Sequence, residues 1–249
     1  MPVRWDQTHR TFYEHMESIL KVPQKKPGEN ARQYAYNILY NRIMRLDFPP
    51  GMMLVDAELS DALQISRTPI REAIVSLTDS KLVEVYPQKS SIVSRIDLDA
   101  VEEGVFLRVN TECAILKEAV HKANRNDIAM LKDVLSQQKE CLSANTIDVN
   151  NFMDLDNEFH KLIYLAADKP WTWTAVSRIV THYDRIRRMQ IRLGSEALKN
   201  SYKEHCEIFN AIMTRSEKDM NEFMYEHITQ GYRNALPELM EKYPDYFAV

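Results

Sequence analysis

The sequence predicts a mainly α-helical chain with one small β hairpin in its first hundred residues, on three observations. Glycine is scarce, at 5 of 249 residues, while strong helix formers abound. Apolar residues recur at three- and four-residue spacing over most of the chain. Period-two alternation is confined to a pair of short runs between residues 82 and 94.

Composition bounds the class. With 45% hydrophobic and 27% charged residues, the chain can bury the core of one large domain or two ordinary ones. No apolar run approaches the ~20 residues needed to cross a bilayer, and Met1–Arg10 lacks the apolar stretch of a signal peptide. A cytoplasmic protein with no membrane partner is expected. Cys113, Cys141 and Cys206 form no CxxC pair and point to neither a disulfide framework nor a zinc ribbon. The net charge of −4 is uneven: residues 1–96 hold 13 Lys and Arg against 11 Asp and Glu, the remainder 19 against 25. That asymmetry suits a nucleic-acid-facing front and a different task behind it.

Taken in order, residues 7–20 place Phe12, Met16, Ile19 and Leu20 at roughly helical spacing, and a basic, Pro-bearing run closes the pattern. Residues 1–29 are read as an extension with one short helix. From Asn30 to Arg45, Ala31, Ala35, Ile38, Leu39 and Ile43 make one apolar stripe, ended by Phe48–Pro49–Pro50–Gly51. A second helix, capped by Asp56, carries Leu59, Ala62 and Leu63. Ser66 opens a third, with Pro69 in a first turn whose N–H groups lack partners anyway. Its buried side is Ile70, Ala73, Ile74 and Leu77. Residues 82–86 and 91–94 then alternate around the polar turn Pro87–Gln88–Lys89–Ser90. Two short helices joined by so tight a turn, then a hairpin, spell a winged helix-turn-helix over residues 30–96. Six further helices, near 98–123, 125–143, 148–167, 170–192, 195–213 and 217–238, predict an antiparallel all-helical bundle within 97–249.

The third helix carries the DNA-facing candidates. Arg67 and Arg71 lie four apart, opposite the buried stripe, and the planar guanidinium matches guanine O6/N7 or a phosphate. Ser66 and Thr68 can donate to phosphates at the positive helix start, and Lys89 at the wing tip reaches toward the backbone or minor groove.

The bundle carries a candidate metal set. Asp156 and His160 are spaced i, i+4, so carboxylate and imidazole share a face. If the last two helices form a hairpin turning near Ser216, His205 and His227 each lie 11 residues from the turn and meet at one level. One carboxylate and three imidazoles suit zinc, nickel or manganese, with coordination positions left for water or a small acid.

Residues 30–96 resemble the winged helix domain of the GntR family of bacterial regulators. The resemblance rests on Phe48–Pro49–Pro50–Gly51, Leu54, Leu59, Leu63 and the run Ile65–Ser66–Arg67–Thr68–Pro69–Ile70–Arg71–Glu72–Ala73. It implies a homodimer reading a pseudo-palindromic double-stranded operator, with Arg67, Thr68 and Arg71 at the DNA. Two positions depart from the family: its turn glycine is Gln64 here, and its wing-tip glycine is Ser90, which with Lys89 completes the DNA-facing set.

Residues 98–238 resemble the FCD-type effector domain of the FadR branch, in its shorter, VanR-like form. The matching residues are Asp156/Phe159/His160, Glu204–His205 and His227. The resemblance further implies that Arg108, four residues before Glu112, forks the carboxylate of a small organic acid effector, with the metal taking another oxygen. Repressor is expected over activator by family habit. Two alternatives stay open: a metal-dependent hydrolase, for which no general base is legible, and a DNA-binding dimer with a purely structural bundle.

Overall fold

The computed structural model describes residues 25–86, 90–144 and 146–248, in two compact units: Met1–Asp97 with Met240–Val249, and Leu98–Leu239. The helix expected at 7–20, and Lys89, lie outside the described residues. Where the sequence reading ran the helical domain to residue 249, the last ten residues group with the first unit.

The first unit opens with α1 (Ala31–Met44), whose start is capped by the Asn30 side chain accepting from Gln33 N at 2.8 Å. The turn after it places Gly51 at φ +83°, where a side chain would be strained. Strand β1 (Met53–Leu54) follows, then α2 (Asp56–Leu63) and α3 (Arg67–Thr78). Strands β2 (Val83–Tyr86) and β3 (Ser90–Val93) complete a three-stranded antiparallel sheet ordered β1-β3-β2, with Val83 opposite Val93 and Tyr86 opposite Ser90. Strand β1 was not expected, because two residues are too few to display alternation. A further correction concerns Asp56. It sits inside the first turn of α2, Val55 precedes the helix with no side-chain cap, and the Asp56 carboxylate is turned to Arg71.

The apolar stripes read from the sequence meet in one core, where Leu39, Ile43, Phe48, Ile70, Ala73 and Leu77 are fully buried. The C-terminal segment joins this unit by backbone pairing. Ile96 N donates to Tyr246 O at 2.8 Å and Ala248 N to Ile96 O at 2.9 Å, with Ile96 and Phe247 both buried.

The second unit is helical throughout: α4 (Leu98–Lys122), α5 (Arg125–Ser143), α6 (Val149–Ala166), α7 (Pro170–Ile179), α8 (Thr181–Gln190), α9 (Glu196–Thr214) and α10 (Met220–Lys242, which ends in the first unit). The single helix expected over 170–192 is thus two. Val180, at ψ 17°, closes α7 and opens α8, which reorients the second segment. As a result nearly all of α8 is buried, including His182, Arg185 and Arg188. No helix among the described residues is long and apolar enough to cross a membrane.

Candidate functional site

The DNA-facing candidates are set by the turn between α2 and α3. Helix α2 ends at Gln64 in the left-handed conformation (φ 53°, ψ 41°), the conformation a glycine would adopt without strain. Ser60 Oγ donates to Ile65 O at 2.6 Å and locks the turn. With Ile70, Ala73, Ile74 and Leu77 buried, Ser66, Arg67, Thr68 and Arg71 all face solvent. Ser66 makes no side-chain cap bond, so its hydroxyl is not consumed by its own helix. Arg71 is 66% exposed, and its Nε donates to Asp56 Oδ2 at 2.6 Å, an anchor that aims the guanidinium without burying it. Ser90 lies in β3 opposite Tyr86.

In the helical unit, α6 contributes His160 and Asp156, α9 His205, and α10 His227. One ring nitrogen from each histidine falls within 4.8 Å of the others. The Nε2 atoms of His160 and His227 are 3.2 Å apart. Asp156 lies against two of the three, Oδ1 at 3.5 Å from His205 Nε2 and Oδ2 at 3.9 Å from His160 Nε2. The opposite ring nitrogens face acceptors: His205 Nδ1 pairs with Gln138 Oε1 at 3.0 Å and His227 Nδ1 with Glu204 Oε2 at 2.7 Å. His160 Nδ1 is 2.7 Å from Glu112 Oε2, out of line for a straight hydrogen bond. Outer carboxylates and amides that take the Nδ1 protons are what fix imidazoles as Nε2 ligands. Burial lowers the pKa of His160 and takes that of His205 well below its usual value, which favours neutral rings. Burial opposes ionisation of Asp156, but Arg187 and the adjoining groups outweigh it and hold the carboxyl well below the carboxylate range. Asp156 Oδ1 and His205 Nε2 are buried without hydrogen-bond partners, and a divalent cation between them would satisfy both.

Arg108 is 2% exposed and spends Nε on Glu112 Oε1. Its Nη1 and Nη2 have no hydrogen-bond partner, Nη1 being 3.9 Å from Asp184 Oδ1. They line a cavity of about 250 Å³ bordered by α8, α9 and α10, with Arg187, Glu204 and His227 also on its wall. Guanidinium nitrogens left without hydrogen bonds beside the histidine cluster are able to bind a carboxylate.

Two contributors escaped the sequence reading. Arg187 donates from Nη2 to Asp156 Oδ2, yet it stands in the run Arg185–Ile186–Arg187–Arg188, where spacing does not single it out. Gln138 is fully buried under His205, but in sequence it is one polar residue in a mixed helix.

Two family models match the chain: bacterial regulatory proteins of the gntR family over residues 31–93, and the FCD domain over residues 105–230. The chain is 28% identical over 225 residues to the HTH-type transcriptional repressor RspR of Escherichia coli K12, covering 90% of this chain and 97% of that protein. It is 31% identical over 186 residues to an HTH-type transcriptional regulator in an unstable DNA locus of Streptomyces ambofaciens, covering 74% and 76% respectively. Among solved structures, E. coli McbR/YncC matches with a TM-score of 0.71 at 17% identity, over 86% of this chain and 99% of that one. A GntR regulator from Rhodococcus sp. RHA1 matches with a TM-score of 0.67 at 18% identity, over 83% and 97%. These structural likenesses speak for the fold alone.

Proposed function

The chain belongs to the GntR family of bacterial regulatory proteins, and from that premise we propose that it is a metal-dependent repressor, released or engaged at operator DNA by a small organic acid. It is a transcriptional regulator rather than an enzyme, as its relatives are. The repressor assignment follows RspR, a transcriptional repressor.

The observation that carries the reading is the meeting of two unsatisfied groups. Asp156 Oδ1 and His205 Nε2 lack hydrogen-bond partners in the bundle interior, and the Arg108 fork lacks them at the adjoining cavity. Asp156, His160, His205 and His227 would hold zinc, nickel or manganese, and the metal supplies a Lewis-acidic position for an acid's oxygen. Arg108 binds the carboxylate and, through Glu112, is tied to His160. In the DNA-binding unit, Arg67 and Arg71 read base edges or phosphates, Ser66 and Thr68 contact phosphates, and Lys89 and Ser90 face the DNA from the wing. A homodimer presents two such helices to the half-sites of a pseudo-palindrome. Acid binding biases the bundle between two arrangements and so changes the spacing of the recognition helices, acting through the linker at Arg95–Asp97.

The test is metal analysis of the purified protein together with operator binding in the presence and absence of an organic acid. Bound metal that is lost in His160→Ala, and acid-dependent operator affinity that is lost in Arg108→Lys, are expected. A metal-free native protein whose operator affinity ignores every acid would leave the purely structural bundle as the correct reading.

A further inference from the structure

The groups that stand behind the three imidazoles are not alike. Glu112 is at Nδ1 of His160 and Glu204 at Nδ1 of His227, whereas Nδ1 of His205 faces the carboxamide of Gln138, 3.0 Å from Oε1. An ionised carboxylate can only accept, so each glutamate favours a proton on the Nδ1 beside it and leaves Nε2 as a lone pair. A carboxamide has one accepting and one donating end of similar size, and it can serve either form of a neutral ring.

Nothing else pins that carboxamide. Gln138, on α5, is fully buried, and its Nε2 has no hydrogen-bond partner. The end turned away from His205 is therefore unpartnered whichever atom occupies it, and the orientation of the amide follows what the ring requires. The ring itself is held in place, stacked on Phe159 with 4.4 Å between ring centres and 25° between planes. What can change is which of its nitrogens carries the proton. With Oε1 toward the ring, Nδ1 donates to Gln138 and Nε2 offers the lone pair that a metal needs. Without a cation, that lone pair faces Asp156 Oδ1 at 3.5 Å, two acceptors with no proton between them. Turning the amide over lets Gln138 Nε2 donate to His205 Nδ1, which moves the ring's single proton to Nε2, where it is donated to Asp156 Oδ1. Two buried atoms left without partners are then satisfied with no ion present.

We propose that Gln138 is a positioning residue that switches the tautomer of His205, turning Oε1 to the ring when the site holds metal and Nε2 when it does not. His205 and Asp156 thus have one satisfied arrangement with the ion and another without it. The ring carries one proton in both, so the switch changes no charge. This rests on the metal-site reading above and adds what the chain does when the ion leaves. A carboxylate in place of the carboxamide has no donating end: it favours the metal-binding tautomer in both states and, with no donor for Nδ1, disfavours the metal-free arrangement. Gln138→Glu therefore tightens metal binding, whereas Gln138→Met, of similar length but without the amide, loosens it. A role confined to packing would loosen it in both.

The test uses the full-length protein, labelled with ¹⁵N at its histidines, and zinc as the probe ion. Long-range ¹H–¹⁵N spectra report the tautomer of each ring, and His205 is assigned by the signal lost in His205→Asn. Zinc-free wild type should show His205 protonated at Nε2, and zinc-loaded wild type should show it protonated at Nδ1. In Gln138→Glu the Nδ1 form should persist in both states. Competition with a chromophoric chelator should give zinc affinity about tenfold tighter in Gln138→Glu and about tenfold weaker in Gln138→Met. The same His205 tautomer with and without zinc in the wild type overturns the inference and leaves the metal site standing, as does a folded Gln138→Glu that binds zinc no tighter than wild type. The wild-type spectra decide the matter even where a variant fails to fold. A wild type that binds no zinc overturns both.

Discussion

His160 and His227 bring their Nε2 atoms to 3.2 Å from each other within the helical unit, while Glu112 and Glu204 stand at their Nδ1 atoms. If each Nδ1 keeps its proton for its carboxylate, both facing nitrogens present lone pairs, and two lone pairs at that distance repel. A shared cation would remove the conflict, with His205 and Asp156 close enough to join its ligands.

Chelation is therefore expected to destabilise the protein. At metal concentrations about a hundredfold above Kd, binding contributes about 2.7 kcal/mol, which for a chain of this size corresponds to roughly 5–10 °C in Tm. Melting with and without a chelator, alongside elemental analysis, checks this; His227→Ala should melt at the same temperature under both conditions. An unchanged Tm on chelation of a protein shown to contain metal would argue against the four-residue site.

Arg67 and Arg71 should separate by salt dependence. Replacing either with Ala is expected to weaken binding to a selected operator by about 1–3 kcal/mol if it bonds a base. The arginine that contacts phosphate should instead weaken all sequences alike and reduce the salt slope by about 1. Fluorescence anisotropy across a salt series, on operator and scrambled duplexes, distinguishes the two roles. Wild-type affinity in both variants would remove α3 from the interface.

Gln64 occupies a left-handed backbone position at the end of α2. Gln64→Gly should relieve that strain and raise stability by about 0.5–1 kcal/mol, with the loss of the Gln64 Nε2 to Asp61 O bond a small offset at an exposed site. Chemical denaturation measures it, and a destabilised variant would mean that the turn is held by the Gln side chain rather than strained by it.

Phe247 is 4% exposed, on the segment that pairs with Ile96. Phe247→Ala should cost about 3 kcal/mol. The same denaturation experiment reads the result, and a change below about 0.5 kcal/mol, the usual range for surface positions, would show that the C-terminal segment is not docked in solution.

Much of this was legible in the chain because helix formation is local. The stripe Ala35, Ile38, Leu39 and Ile43 and the face Ile70, Ala73, Ile74 and Leu77 follow a period of 3.6, and both are buried. His205 and His227 come together, at 5.1 Å between ring centres, since equal distances from one hairpin turn put them at one level. The break at Val180 was hidden because neither Gly nor Pro marks it and apolar spacing continues through it. Polar side chains of α8 were equally unreadable: Arg185 and Arg188 are buried by contacts with other helices, against their usual preference for water.

The sequence by itself determined the winged helix-turn-helix, the helical character of the bundle and the histidine positions, since each depends on residues a few turns apart or on symmetry about one turn. Only the tertiary structure decided that Gln138 backs His205 and that Arg187 reaches Asp156. Those relationships join helices through side chains whose sequence separations carry no period, so packing alone sets them.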